Sequence, residues 1–471
     1  MARHSNAGRA SRSSSSSRLA APFLKSQSLR FDAEFSLGAR LRCRRYRLRN
    51  GLTLLTLPDA SAPVVSYHTW FRVGSRHETP GKTGLAHLFE HLMFNETSNL
   101  RAGEFDRLIE GVGGESNAAT WTDWTQYYEN VPASELDLII RLEAERMANL
   151  VLRKEPLESE KEVVANERRY RVEDDVEGEA AEALYALAFR KHPYRWPTIG
   201  WMRDIRSFTL EDCRRFYRTY YAPNNAIVVL AGDFDEAQAL EAIVAAYGKL
   251  KARAIPELAT YHEPQQRRER YLEMRRETQS EKLLLGYRAP SFGSEDWAPL
   301  VVLNEILCGG RSARLNQLLV HELELASEVD GSIAPFHDPG LFELWVATRP
   351  GKRAREALRY VDRELRRVQT QKVSSAEIDK AVNRLELGFL QDMETAAGKA
   401  EQLGFYETVL GDAARAAEPL DDYRKVDADT LRDVARRYFQ RDQRSRIDVL
   451  PKAPSARRAT PKRPRGEKAR S

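Results

Sequence analysis

One order of elements runs through the chain twice, and that repetition limits its fold more than any single segment does. Residues 41–250 carry strand-like runs at 46–57, 64–73, 118–131 and 226–231, alternating with helical spacing at 83–94, 133–152, 155–171, 184–190 and 209–221. The first run breaks at Asn50-Gly51, a pair suited to a tight hairpin turn. Residues 251–275 turn polar and charged and read as a linker. A second block, 276–452, then repeats the pattern: a strand at 282–287, a helix at 297–307, a Gly309-Gly310 turn, a helix at 311–323 and a strand at 341–348. Long helices at 353–371 and 375–393 and a final strand at 446–450 complete it. Strands and helices mixed within each block predict an α+β fold of two related halves. Each half is expected to be a mainly antiparallel sheet covered by helices, the two facing each other across a cavity.

Composition excludes some function classes. No run of 18 apolar residues occurs, so no transmembrane helix is expected. Cys43, Cys213 and Cys308 are odd in number and far apart; they suit a core in a reducing setting rather than a disulfide framework or a CxxC metal site. The net charge of +5 hides an uneven spread, with residues 1–31 carrying +6 and residues 452–471 carrying +7, so the body between them stands at about −8. The basic pI therefore belongs to the ends. Residues 1–40 begin Ser- and Arg-rich and read as a disordered basic segment, a composition an organellar transit peptide shares; residues 453–471 read as a basic tail. No aromatic residue is interleaved there to stack on bases, so no specific nucleic-acid partner is expected.

The sharpest chemical signal is His87-Leu88-Phe89-Glu90-His91. Histidines four apart on a helix share a face, so both imidazoles can reach one ion. Glu90 falls on that face, where a carboxylate beside the metal can take a proton from attacking water. Imidazole ligands suit Zn2+, one per chain. A third protein ligand is required. Glu160 and Glu167 are seven residues apart, two turns along one predicted helix face, so either can point at the same spot.

With these residues in place, the sequence resembles the pitrilysin/insulinase (inverzincin) peptidases, in particular their shorter two-domain branch of bacterial peptidases and mitochondrial processing peptidase. The resemblance covers roughly residues 41–452. It rests on the stretch 83–94 around the histidines, Gly113–Thr120, His192-Pro193-Tyr194, Tyr221–Ala226 and Gly309–Leu315, and on Glu167 following His91 by 76 residues. It implies His87, His91 and Glu167 as zinc ligands, Glu90 as general base and Glu160 as the carboxylate that orients a ligand from behind. It also implies that the segment from Asn117 through Ala118, Ala119 and Thr120 to Thr122 is an edge strand on which a peptide substrate lies as an added strand. His192 reads as structural.

The chain departs from that pattern in its second half. Complete members carry an Arg and a Tyr seven apart that stabilise the oxyanion; here Val320 and Ser327 occupy those positions. Three expectations follow. A related subunit supplies the Arg/Tyr pair, making this the metal-bearing chain of a heterodimer; or Arg311 or Arg314 replaces it; or the chain is a non-catalytic structural subunit sharing the fold. As to compartment, the resemblance points to bacterial cytoplasm or periplasm, and the N-terminal composition keeps the mitochondrial matrix open.

Overall fold

The computed structural model describes residues 28–38 and 40–452; the remainder of the basic N-terminal segment and the tail 453–471 lie outside the described residues. The first half is built on a seven-stranded sheet: β1 (Leu29–Leu37), β2 (Leu41–Leu48), β3 (Thr53–Pro58), β4 (Val64–Phe71), β5 (Glu115–Thr120), β6 (Thr125–Pro132) and β7 (Ala226–Gly232). The second half has a five-stranded sheet of β8 (Arg270–Arg276), β9 (Lys282–Arg288), β10 (Ala326–Ile333), β11 (Leu341–Thr348) and β12 (Ser445–Pro451). The α-helices of eight residues or more are α1 (Leu85–Leu92), α2 (Glu104–Gly111), α3 (Leu136–Asn149), α4 (Lys154–Arg168), α5 (Val176–Ala188), α6 (Leu210–Tyr220), α7 (Glu236–Tyr247), α8 (Trp297–Cys308), α9 (Ala354–Thr370), α10 (Ser375–Asp392), α11 (Ala396–Leu410) and α12 (Ala428–Tyr438).

The strand orders are β1-β2-β3-β7-β4-β6-β5 and β10-β11-β9-β12-β8. Set aside β1 and β2, number the strands of each half along the chain, and both sheets read 1-5-2-4-3. In both, strands one and five are parallel (β3 with β7, β8 with β12) and every other pairing is antiparallel. The repeat expected from element order is thus a repeat of topology.

Each sheet buries one face under its own helices. The other face is covered by a helix from the opposite half. From the first half, α5 lays Ala180, Leu184 and Ala188 on Leu284, Ile447 and Val449 of the second sheet. From the second half, α11 lays Ala400 and Leu403 on Trp70, Ile227 and Val229 of the first. A glycine opens each contact: a Cβ at Gly286 meets Leu184 at 3.1 Å, and one at Gly404 meets the Trp70 indole at 2.0 Å. At about 1.5–3 kcal/mol per fully buried large apolar side chain, this exchange of helices holds the halves together more strongly than a linker can.

Several elements differ from expectation. The strand expected over 118–131 is a hairpin, β5 and β6, whose turn is closed by Trp121 N–H donating to Trp124 C=O at 2.9 Å; Asp123 is the turn-forming residue. Residues 29–37, expected in the disordered segment, form β1, held to β2 by pairs such as Arg44–Glu34 (2.7 Å) and Arg45–Asp32 (3.0 Å). The expected linker ends before β8. Its remainder is a fixed strap: Asn224 and the Arg253 backbone exchange two hydrogen bonds (2.8 and 2.9 Å), and Glu263 accepts from the backbone N–H groups of Arg190, Lys191 and His192 at 2.7–3.0 Å. All three cysteines are buried. Among the described residues no helix is long and apolar enough to cross a membrane.

Candidate metal centre and peptide-binding edge

The helix that carries the motif is fixed at its start. Gly84, preceding α1, has φ +93°, and a Cβ there would lie 2.4 Å from the Ile199 carbonyl, so glycine is required. The buried carboxylate of Glu78 then accepts from the N–H groups of Gly84 (2.8 Å) and Ala86 (2.7 Å), satisfying donors that the first turn leaves free and placing an acid at the positive end of the helix. Asp204 accepts from the Thr83 hydroxyl at 2.7 Å and fixes the preceding residue. Leu85, Leu88, Phe89 and Leu92 bury the inner face of α1. His87, Glu90 and His91 then fall toward α4, which packs on α1.

There the spacing of Glu160 and Glu167 takes effect. His87 Nε2 lies 3.5 Å and His91 Nε2 lies 3.4 Å from one atom, Glu167 Oε2. One donor atom from each of the three residues falls within 4.8 Å of the others. His91 Nδ1 faces Glu160 Oε2 at 3.5 Å, and Asn95 donates to Glu160 Oε1 at 3.3 Å. Arg171 takes the other oxygen of Glu167, Oε1, at 3.1 Å. It stands on a widened π-helical turn, Arg169–Glu173, that continues α4.

These distances fit a zinc ion. Ligands about 2.0–2.2 Å from a tetrahedral centre stand about 3.3–3.6 Å apart, close to what the imidazoles and Glu167 show. Glu167 Oε2 is also buried with no hydrogen-bond partner among the described residues, an acceptor that a cation at this point would satisfy. Burial holds His87 down at about 4, a neutral imidazole able to ligate. Burial also lowers His91, but its contacts with Glu160 and Glu167 outweigh that and lift it to about 9. Burial raises Glu90, and the neighbouring Thr120 hydroxyl offsets part of the rise without forming a hydrogen bond of ordinary geometry. A carboxylate raised in this way is better matched to taking and returning a proton near neutral pH.

Asn117, Ala118, Ala119 and Thr120 lie on β5, which ends the first sheet and pairs only with β6 among the described residues. Its outer edge offers main-chain donors and acceptors to an incoming strand, and its last residue, Thr120, adjoins Glu90. Trp121 and Thr122, expected to extend the strand, lie in the turn that follows.

Among the described residues, the second-half positions singled out in the sequence are engaged elsewhere or exposed. Val320 packs against the second core from a turn of helix, and Ser327 donates to the Ala347 carbonyl at 3.2 Å. Arg314 is committed to Glu377 through two hydrogen bonds of 2.7 and 2.9 Å, and Arg311 is exposed. His192 joins the halves instead, its Nε2 2.9 Å from Asp338 Oδ2; Arg76 bridges Asp338 and Asp123 beside it. Sequence reading passed over Glu78, which lies in no periodic segment, and Arg171, whose i+4 spacing from Glu167 was a readable signal.

Comparison with known proteins identifies the family of the chain. The sequence pattern described as Insulinase (Peptidase family M16) matches residues 54–200, and that described as Peptidase M16 inactive domain matches residues 207–385. Zinc protease PqqE of Helicobacter pylori is 31% identical over 409 residues, 86% of this chain and 92% of that one. The crystal structure of a protease from Helicobacter pylori superposes with a TM-score of 0.84 at 30% identity, covering 87% of this chain and 99% of that one. A peptidase M16 inactive domain from Pseudomonas fluorescens shares the fold, with a TM-score of 0.78 at 17% identity over 87% of this chain and 98% of that one. Sequence and fold agree over both halves, and the chain belongs to the insulinase family of peptidases, M16.

Proposed function

We propose that the chain is a zinc-dependent endopeptidase with an inverted HxxEH motif, His87, His91 and Glu167 holding the metal. The observation that carries this is the convergence of two imidazole nitrogens, at 3.4 and 3.5 Å, on one buried carboxylate oxygen that accepts no hydrogen bond among the described residues. The naming of relatives as zinc proteases supports it. Zinc bound there supplies a Lewis acid that polarises the peptide carbonyl and acidifies adjacent water. Glu90 takes the proton of the attacking water and returns it to the departing amine. Glu160 orients His91 from its far side, and Arg171 occupies Glu167 Oε1 so that Oε2 is left to the metal. Asn117, Ala118, Ala119 and Thr120 bind the peptide by main-chain hydrogen bonds, which select for extended segments rather than for one sequence.

Oxyanion stabilisation is the missing component. With Val320 and Ser327 where the family's Arg and Tyr stand and Arg314 bound to Glu377, a related subunit bearing that pair completes the enzyme. The same two residues favour a second reading, a non-catalytic subunit sharing the fold. Metal analysis and peptide cleavage on the purified chain, alone and with Glu90→Gln, separate them. One zinc per chain, with any cleavage falling by about 10²–10⁴ in the variant, supports the peptidase. Zinc without cleavage by the chain alone supports a half-enzyme. Absence of zinc under metal-replete conditions supports the structural subunit.

A further inference from the structure

The acidic body of the chain carries one strongly basic island. Residues 349–372 hold nine Lys or Arg against three acids, a local +6 on a body of about −8. Most of this stretch is α9, whose inner face buries Ala357, Val361, Leu365 and Val368 in the second core. The arginines stand on the opposite face. At about 100° per residue, Arg355, Arg359 and Arg366 fall within about 40° of one another, along a line about 16 Å long. Arg363 lies beside that line, and all four are exposed.

Arg355, Arg359 and Arg366 make no ion pair and no side-chain hydrogen bond among the described residues. Most acids packed around them are already engaged. Asp362 pairs with Arg444, and the buried Glu364 lies 4.0 and 3.7 Å from Arg363 and Arg367. Asp429 holds Lys372 at 2.7 Å, and Asp433 stands 3.8 Å from Arg436. Glu356 is the one acid of α9 without an ion pair among the described residues. Helix α12 lies alongside, Arg436 Nε donating to the Gln369 carbonyl at 2.7 Å, so its basic residues widen the face at the end of α9. Residues 452–471, which follow β12 in sequence, add a further +7.

No large apolar side chain is exposed on α9 or α12. That disfavours a protein partner, whose interface needs an apolar centre, and leaves no ring to stack on bases. Anionic lipid headgroups require neither. We infer that the arginine face of α9 docks on an anionic membrane surface, its guanidinium groups pairing with headgroup phosphates. Guanidinium forks grip phosphate oxygens in pairs, and each basic side chain near an anionic bilayer strengthens binding about fivefold. Such docking needs no membrane-spanning helix, and it stands independently of the metal site.

Cosedimentation of the full chain with lipid vesicles tests this. Vesicles of phosphatidylglycerol and phosphatidylcholine should bind it at least about tenfold more strongly than phosphatidylcholine alone, with the difference closing in about 1 M salt. Replacing Arg355, Arg359 and Arg366 together by glutamine should weaken binding to the anionic vesicles roughly a hundredfold. A control removes the same charge from Arg101, Arg141 and Arg214, exposed arginines of the first half without ion pairs among the described residues; its binding should change by less than about fivefold. Equal binding to the two kinds of vesicle, or equal losses in the two triple variants, would overturn the inference. So would tighter, α9-dependent binding to a double-stranded oligonucleotide, which would assign the face to nucleic acid. The comparison of vesicles on the unmodified chain keeps the inference testable should a variant fail to fold.

Discussion

Replacing Gly404 by alanine places a methyl carbon 2.0 Å from Nε1 of Trp70 and 2.5 Å from two further indole atoms. Side-chain carbons do not approach that closely, so α11 or the indole must retreat by about 1 Å, a shift the close-packed surroundings resist. The indole has little room, since Trp70 is fully buried and Trp124 packs 4.9 Å away between ring centroids. Overpacking of this kind costs about 1–3 kcal/mol, or roughly 2–12 °C in Tm at the scale of one half of the chain. Thermal unfolding followed by circular dichroism measures it. Trp70→Phe shrinks the ring, so the double variant should be more stable than the sum of the two single losses predicts. Because Trp70 packs in the core on one face of the first sheet and α1 in the core on the other, metal content should not change. A Tm within 1 °C of the parent protein would refute the claim that this contact holds the halves together.

Three other outcomes follow from the same contacts. Glu78→Ala leaves the buried N–H groups of Gly84 and Ala86 unsatisfied, at about 1–3 kcal/mol each, so zinc titration should show weaker binding and urea unfolding a lower midpoint. Burial holds His68 down at about 3 against an ordinary 6.5; its neutral form contributes stability above 6.5 that is lost as pH falls from 6.5 toward 3. A shallower decline of stability over that window in His68→Gln checks this. Removing metal with a chelator should lower Tm, by the equivalent of about 2.7 kcal/mol where zinc had been present at a hundred times its Kd, and His91→Ala should make Tm insensitive to the chelator.

The meeting of His87, His91 and Glu167 was legible because its signal is local. His87, Glu90 and His91 sit within five residues on one helix, and Glu160 and Glu167 keep the spacing of another. The main strands β4, β9 and β11 were legible from β-branched and aromatic runs. Other elements owe their structure to partners distant in sequence. The strand β10, Ala-Ser-Glu-Val-Asp-Gly-Ser-Ile, has few apolar residues and is held by pairing with β11. The helix α11 buries Lys399, Ala400, Leu403, Gly404, Tyr406, Glu407 and Val409, a set spread round the helix because it is enclosed by both halves, so it has no single apolar stripe to read. The exchange of α5 and α11 between halves, and the meeting of Glu343 with Tyr185 158 positions away, have no local signature. The β5–β6 hairpin was masked because strand-favouring residues, Trp121, Thr122 and Trp124, occupy its turn.

Zinc K-edge X-ray absorption on the metal-replete chain, with stoichiometry measured on the same sample, tests the central claim most directly. The account predicts one zinc per chain, with a spectrum of two imidazole nitrogens and oxygen ligands at about 2.0–2.2 Å, and loss of that signal in His87→Ala. A chain that binds no zinc, or a zinc spectrum unchanged by that substitution, would contradict it.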